Sequence, residues 1–120
     1  MSRFSDTLME HFQYPMNRGV MDSPDLIGTG SLSGHPPFVT LYLRSQGDSI
    51  ATAMFEAEGC GVTIACCSMI TELVQGRALM DCKHLSVDLL SAALGNIPPD
   101  KEYCAAVAIA ALHDALRDKV

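Results

Sequence analysis

Residues 33–68 read SGHPPFVTLYLRSQGDSIATAMFEAEGCGVTIACCS, and within them the hydrophobic period changes once. From Phe38 to Arg44 the period is two: Val39, Leu41 and Leu43 fall on one side, with Phe38, Thr40 and Tyr42 on the other. That is the pattern of a strand with one buried face. Gln46, Gly47 and Asp48 supply a turn, and alternation resumes with Ala51, Ala53, Phe55 and Ala57 opposite Ile50, Thr52, Met54 and Glu56. The two runs predict a β-hairpin. Beyond Gly61 the period is helical, with Val62, Cys66, Met69, Ile70 and Leu73 on one stripe that stops at Gly76. The switch falls at Gly-Cys-Gly, so Cys60 opens a helix built largely of small residues.

Working outward, FSDTLMEHF carries Phe4, Leu8, Met9 and Phe12 at helical spacing and ends before Tyr14-Pro15. The stretch NRGVMDSPDLIGTG is dense in Gly, Pro, Asp and Asn and reads as an ordered loop leading to an edge strand. Short helices are expected near Leu79–Lys83 and over Val87–Leu94. A last helix follows IPPDK, where Pro98-Pro99 ends what precedes it and Asp100 is the expected N-cap. Ala105, Ala108, Ile109, Leu112 and Leu116 form its buried stripe. Sheet first and helices after predicts an α+β fold, a small antiparallel three-stranded sheet covered by helices.

The chain has 120 residues, 48% of them hydrophobic and 18% charged, which suits one domain over residues 1–120. A net charge of -6 without a Lys/Arg cluster excludes a phosphate-backbone footprint, so no nucleic acid is expected. MSRFSDTLMEHFQYP lacks the apolar core of a signal peptide, and the apolar runs fall short of the roughly 20 residues that span a bilayer. A cytoplasmic protein without a membrane partner is the expectation.

Five cysteines, Cys60, Cys66, Cys67, Cys82 and Cys104, are an odd number in a chain with no export signal, which favours reduced thiols over a disulfide framework. Cys60 and Cys104 each fall at or within the first turn of a helix, where free N–H groups and the helix dipole favour thiolate. Thiolate is the form that binds metal or attacks sulfur. Packing as small buried residues explains the same positions equally well. Cys66 and Cys67 lie two turns further on, Cys66 about 9 Å along the helix axis from Cys60, and read as core. Cys82 with His84 is weak evidence for zinc. His11 and His113 read as surface residues. His35 stands in the loop ahead of the hairpin, where a neutral imidazole would complete a site with two thiolates; an exposed loop histidine is the plainer reading.

Several blocks, in order along nearly the whole chain, resemble the U-type iron–sulfur cluster assembly scaffolds (IscU, SufU and the N-terminal domain of NifU). FSDTLMEHFQYPMNRGVMD looks like their opening helix and His-Phe-x-x-Pro-x-Asn-x-Gly segment, and IGTGSLSGHPP like their Gly-Thr-Gly loop and Gly-x-Pro turn. FEAEGCGVTIACCSMITELVQGR resembles their Gly-Cys-Gly helix, and IPPDKEYC is similar to their Leu-Pro-Pro-x-Lys-x-x-Cys segment. The resemblance implies a non-enzymatic scaffold or carrier holding iron, a [2Fe-2S] cluster or zinc. Cys60 and Cys104 match the second and third family cysteines, and a cysteine desulfurase is the implied sulfur donor.

Three family ligand positions depart from the pattern. Phe38 stands where the first cysteine belongs, Thr40 where the family carries aspartate, and Tyr103 where a histidine often precedes the third cysteine. Two thiolates leave a tetrahedral site half filled. His35, a second copy of the chain in a homodimer, or a partner or small thiol would have to complete it. The alternative is a cluster-free paralogue serving the assembly machinery as an adaptor or regulatory module. Pro98-Pro99 with Lys101 also resembles the segment that an Hsp70-type chaperone reads in some members, although Asp100 departs from it and helix capping explains the same residues. A thiol enzyme using Cys60 and Cys104 as a redox pair lacks Cys-x-x-Cys spacing and an acid–base partner.

Overall fold

The structure is a computed structural model, which describes residues 3–117. Its centre is the strand that the alternation predicted. His35–Gln46 (β2) lies between Leu26–Leu32 (β1) and Ser49–Glu58 (β3) in an antiparallel sheet of order β1-β2-β3. Val39, Leu41 and Leu43 are buried on the helix-covered face, as their period requires. Gly47, at φ +62, makes the tight turn into β3.

The second strand departs from strict alternation. Arg44 pairs with Thr52 but Ser45 pairs with Ile50, so Ala51 is an extra residue on β3. A bulge of this kind moves every residue beyond it to the opposite face. Ile50 is therefore fully buried with Ala53 and Phe55, while Ala51 faces solvent.

Helix Gly61–Val74 (α2) is buried nearly all round, not along one stripe. It packs on β3, on Asp6–Gln13 (α1), on Val87–Ala93 (α4) and on the last helix, Glu102–Leu116 (α5). Leu73, expected on the buried stripe, is only partly covered. The polar residues of α2 have partners. Ser68 Oγ accepts the Met16 N–H at 2.8 Å and meets His11 Nδ1 at 2.7 Å; Asn17 Nδ2 donates to Thr71 Oγ1 at 3.1 Å. Backbone bonds between Asn17, Gly19 and Phe55 then lay this loop along the outer edge of β3. His11 is thus a half-buried fastener, and its Nε2 stands 4.0 Å from Glu72.

Leu79–Cys82 forms the short α3, and Ser86 caps α4 by accepting the Leu89 N–H at 3.2 Å. Pro99–Lys101 is a 3-10 turn leading directly into α5, so Asp100 does not act as an N-cap. Its carboxylate is engaged elsewhere, by the two terminal guanidinium nitrogens of Arg3 at 3.1 and 3.0 Å. Ala105, Ala108, Ile109, Leu112 and Leu116 are buried as their spacing indicates.

The α5 helix lies across β1 at a distance only glycine allows. A Cβ on Gly28 would stand 2.0 Å from the Ala111 carbonyl oxygen and 2.4 Å from the Ala115 nitrogen. Both obstacles are backbone, so they cannot rotate away. Gly28→Ala is expected to destabilise the fold by about 2–3 kcal/mol through overpacking, read as a lower urea midpoint at unchanged m-value. A change under about 0.5 kcal/mol would mean that α5 does not seat on β1 in this way.

Candidate functional site

Cys60 is the N-cap of α2 and Cys104 is the third residue of α5. The two helix starts meet, with the sulfurs 3.6 Å apart and 44 residues separating them in sequence. Both thiols are free, and 3.6 Å is van der Waals contact, well beyond the roughly 2.05 Å of a disulfide. Glycines on both sides of Cys60 permit the approach. A Cβ on Gly61 would meet the Phe12 ring at 2.7 Å, and one on Gly59 would meet the Thr63 hydroxyl at 2.8 Å and Pro37 Cβ at 2.9 Å.

The two thiols are unlike. Cys60 is exposed and Cys104 is fully buried. Burial pushes the Cys60 thiol up, but the Thr63 N–H, the Cys104 thiol, the Val62 N–H and the Thr63 hydroxyl together outweigh it, and the net direction is down. Cys60 Sγ makes no closed capping hydrogen bond, so the Val62 and Thr63 N–H groups act on it as nearby dipoles. For Cys104, burial is the largest influence and the net direction is up. The first negative charge of the pair therefore settles on Cys60, with Cys104 keeping its proton and donating to it. Fully buried Thr63, whose hydroxyl lies 3.9 Å from Cys60 Sγ, belongs to this site. Sequence reasoning passed over it. The available signal was a threonine three residues after the N-cap, the position whose side chain reaches back across the first turn.

The other sequence candidates are placed as follows. His35 is exposed at the start of β2, opposite Leu32 and next to the Ser33-Gly34 turn that closes the β1–β2 hairpin. Among the described residues no three His, Cys, Asp or Glu side chains gather as a metal set. Phe38 and Thr40 share the sheet face away from the helices, beside Glu56 and Glu58. The side chain that reaches Gly59 from this strand is that of Pro37. Tyr103 is exposed, with the Lys101 ammonium 6.0 Å from its ring. Burial pushes the Cys66 thiol up, and that of Cys67 up to about 12. Cys82 is buried and also raised by burial, and His84 is exposed.

Cys60 opens onto a cleft of about 420 Å³. Leu8, Met9 and Phe12 of α1, with Phe4, make its apolar wall, and Arg3 and Lys101 stand at its rim.

Residues 3–119 match the family model described as "NifU-like N terminal domain". The chain belongs to this family. The family's member from Archaeoglobus fulgidus named iron-sulfur cluster assembly scaffold protein IscU 1 is 31% identical over 115 residues, covering 96% of this chain and 75% of its own. The IscU scaffold of Azotobacter vinelandii is 32% identical over 120 residues, covering 96% of this chain and 92% of its own. Among solved structures, the N-terminal NifU-like protein of Brucella abortus superposes with a TM-score of 0.78 at 15% identity, covering 94% of this chain and 91% of that one. The family fold is thus the three-stranded antiparallel sheet and helices described above. Among the described residues no helix is long and apolar enough to cross a membrane.

The unequal thiols predict unequal alkylation. Iodoacetamide at limiting dose should modify Cys60 first, with a rate that rises at lower pH than for an unperturbed thiol. Cys66 and Cys67 should react only on unfolding. Peptide mapping of the alkylated protein checks the order, and native-state labelling of Cys66 or Cys67 ahead of Cys60 would contradict the site geometry.

Proposed function

We propose that this chain is an iron–sulfur cluster assembly scaffold or carrier that uses Cys60 and Cys104 as thiolate ligands. The observation that carries the reading is the 3.6 Å sulfur–sulfur distance. Two thiolates bound at about 2.3 Å to one tetrahedral metal ion stand about 3.8 Å apart. The pair is therefore already spaced to grip an iron of a [2Fe-2S] cluster, or a zinc ion, with little movement. Membership in a family whose relatives are named as cluster assembly scaffolds supports the same reading.

Two thiolates are half of a tetrahedral set. Among the described residues no third His, Cys, Asp or Glu joins the two cysteines, so in this reading the remaining ligands come from outside the chain, most simply from Cys60 and Cys104 of a second copy around a shared cluster. The exposed position of Cys60 supports this arrangement. A cysteine desulfurase is the sulfur donor in this reading. The competing reading, a cluster-free adaptor of the assembly machinery, draws on Phe38 and Thr40, whose side chains face away from the helix-covered side of the sheet.

Anaerobic reconstitution with ferrous iron and sulfide separates the two. The scaffold reading expects a stable visible chromophore and one cluster per dimer, lost in Cys60→Ala and in Cys104→Ala. Iron and sulfide bound equally by both variants would overturn the assignment, and none bound by the wild type would favour the adaptor. The geometry also orders two gain-of-ligand variants. Pro37→Cys, on the side of Gly59, should raise retained iron at least severalfold over Phe38→Cys on the opposite face; the reverse order would show that β2 turns its other side to the cysteines when loaded.

A further inference from the structure

We propose that Cys60 and Cys104 act together on sulfane sulfur: Cys60 takes the terminal sulfur of a persulfide, and Cys104 expels it as sulfide while the pair closes to a disulfide. This deepens the scaffold reading, because sulfide is half of what a cluster is built from. It rests on the placement of the two sulfurs. Cys60 is exposed and lines the cleft, whereas Cys104 is fully buried, does not line it, and touches Cys60 from behind at 3.6 Å. Displacement at sulfur needs the nucleophile, the attacked sulfur and the leaving sulfur close to one line. A donor reaching Cys60 through the cleft, which Cys104 does not line, would add its sulfur on the side away from Cys104, as that requirement asks.

The first step is a transfer. The Cys60 thiolate attacks the terminal sulfur of a donor R–S–SH; a bond from Cys60 to that sulfur forms, the donor S–S bond breaks, and the donor leaves as R–S⁻. In the second step the Cys104 sulfur attacks Cys60 Sγ. The Cys60–Cys104 bond forms, the bond from Cys60 to the sulfane sulfur breaks, and that sulfur leaves carrying the Cys104 proton as hydrogen sulfide. Two electrons pass from the two cysteine sulfurs to the sulfane sulfur, so no outside reductant enters this step. A dithiol reductant then restores the pair with two electrons.

The cleft suits the first substrate. Leu8, Met9 and Phe12 give the sulfane sulfur an apolar wall, and Lys101 places positive charge beside the cleft where an anionic persulfide enters, the charge of Arg3 being offset by Asp100. Closing the disulfide needs the sulfurs to move together by roughly 1.5 Å. Cys60, the exposed N-cap of α2, is the less enclosed of the two.

The test uses the reduced full chain, without oxygen and with a metal chelator present, and glutathione persulfide as the donor. The wild type should release one sulfide per chain and become about 2 Da lighter than the reduced protein, with a Cys60–Cys104 bridge on peptide mapping. Cys104→Ala, checked for folding by circular dichroism, should instead hold the added sulfur at Cys60, about 32 Da heavier, and release sulfide on the order of a hundredfold more slowly. Cys60→Ser, at an exposed position, should do neither. A wild type that keeps the added mass with no bridge, or a Cys104→Ala protein that releases sulfide at the wild-type rate, overturns the proposal. Because metal is excluded, failure here leaves the iron-loading result standing, and failure of iron loading leaves this one standing.

Discussion

The seating of α5 on β1 is the contact on which the rest of the molecule depends. Gly28 and Gly30 lack side chains exactly where the α5 backbone passes, at Ala111, Ala115 and Val107, so the helix lies on the sheet closer than side chains would allow. That approach sets where the first turn of α5 ends up. It delivers Cys104 to the buried side of Cys60, whose own position is held by α2 wedged between α1, the sheet and α5. Two helix starts then meet at a pair of sulfurs, and the Val62 and Thr63 N–H groups of α2 turn their dipoles on Cys60.

From this convergence comes the chemical asymmetry of the pair. One thiol opens to a cleft, the other is sealed; the N–H groups of Val62 and Thr63 favour charge on the first, and desolvation disfavours it on the second. Such a pair serves either as two corners of a tetrahedron or as an attacking and a resolving thiol, because both roles need the sulfurs in contact and one of them accessible. Buried Cys66 and Cys67 show what the same residue becomes two turns deeper in α2: raised by burial and shut off from solvent. Position relative to a helix start, and not residue type, separates chemistry from packing here.

Much of this was readable before any coordinates. The hairpin followed from alternation, the helices from their apolar spacing and their Gly and Pro boundaries, and Cys60 from the Gly-Cys-Gly switch of period. Other features depended on contacts that no local pattern encodes. The bulge at Ala51 reverses the face of Ile50, and alternation cannot announce its own interruption. The stripe assigned to α2 was too narrow because a helix with neighbours on every side buries Thr63, Ser68 and Thr71 as well, with partners from distant segments. Asp100 looked like a cap because Pro-Pro-Asp is capping chemistry, yet Arg3, 97 residues away, holds its carboxylate.

By itself, the sequence determined the α+β class, the strand and helix order, and the presence of two cysteines at helix starts, all of which are properties of hydrophobic period and local backbone preference. Only the tertiary structure decided that these two cysteines touch and that Pro37 rather than Phe38 faces the Gly59 backbone. Those outcomes join residues far apart in the chain, and they follow from how closely α5 can approach a glycine-faced strand and from where a strand's pleat points its side chains.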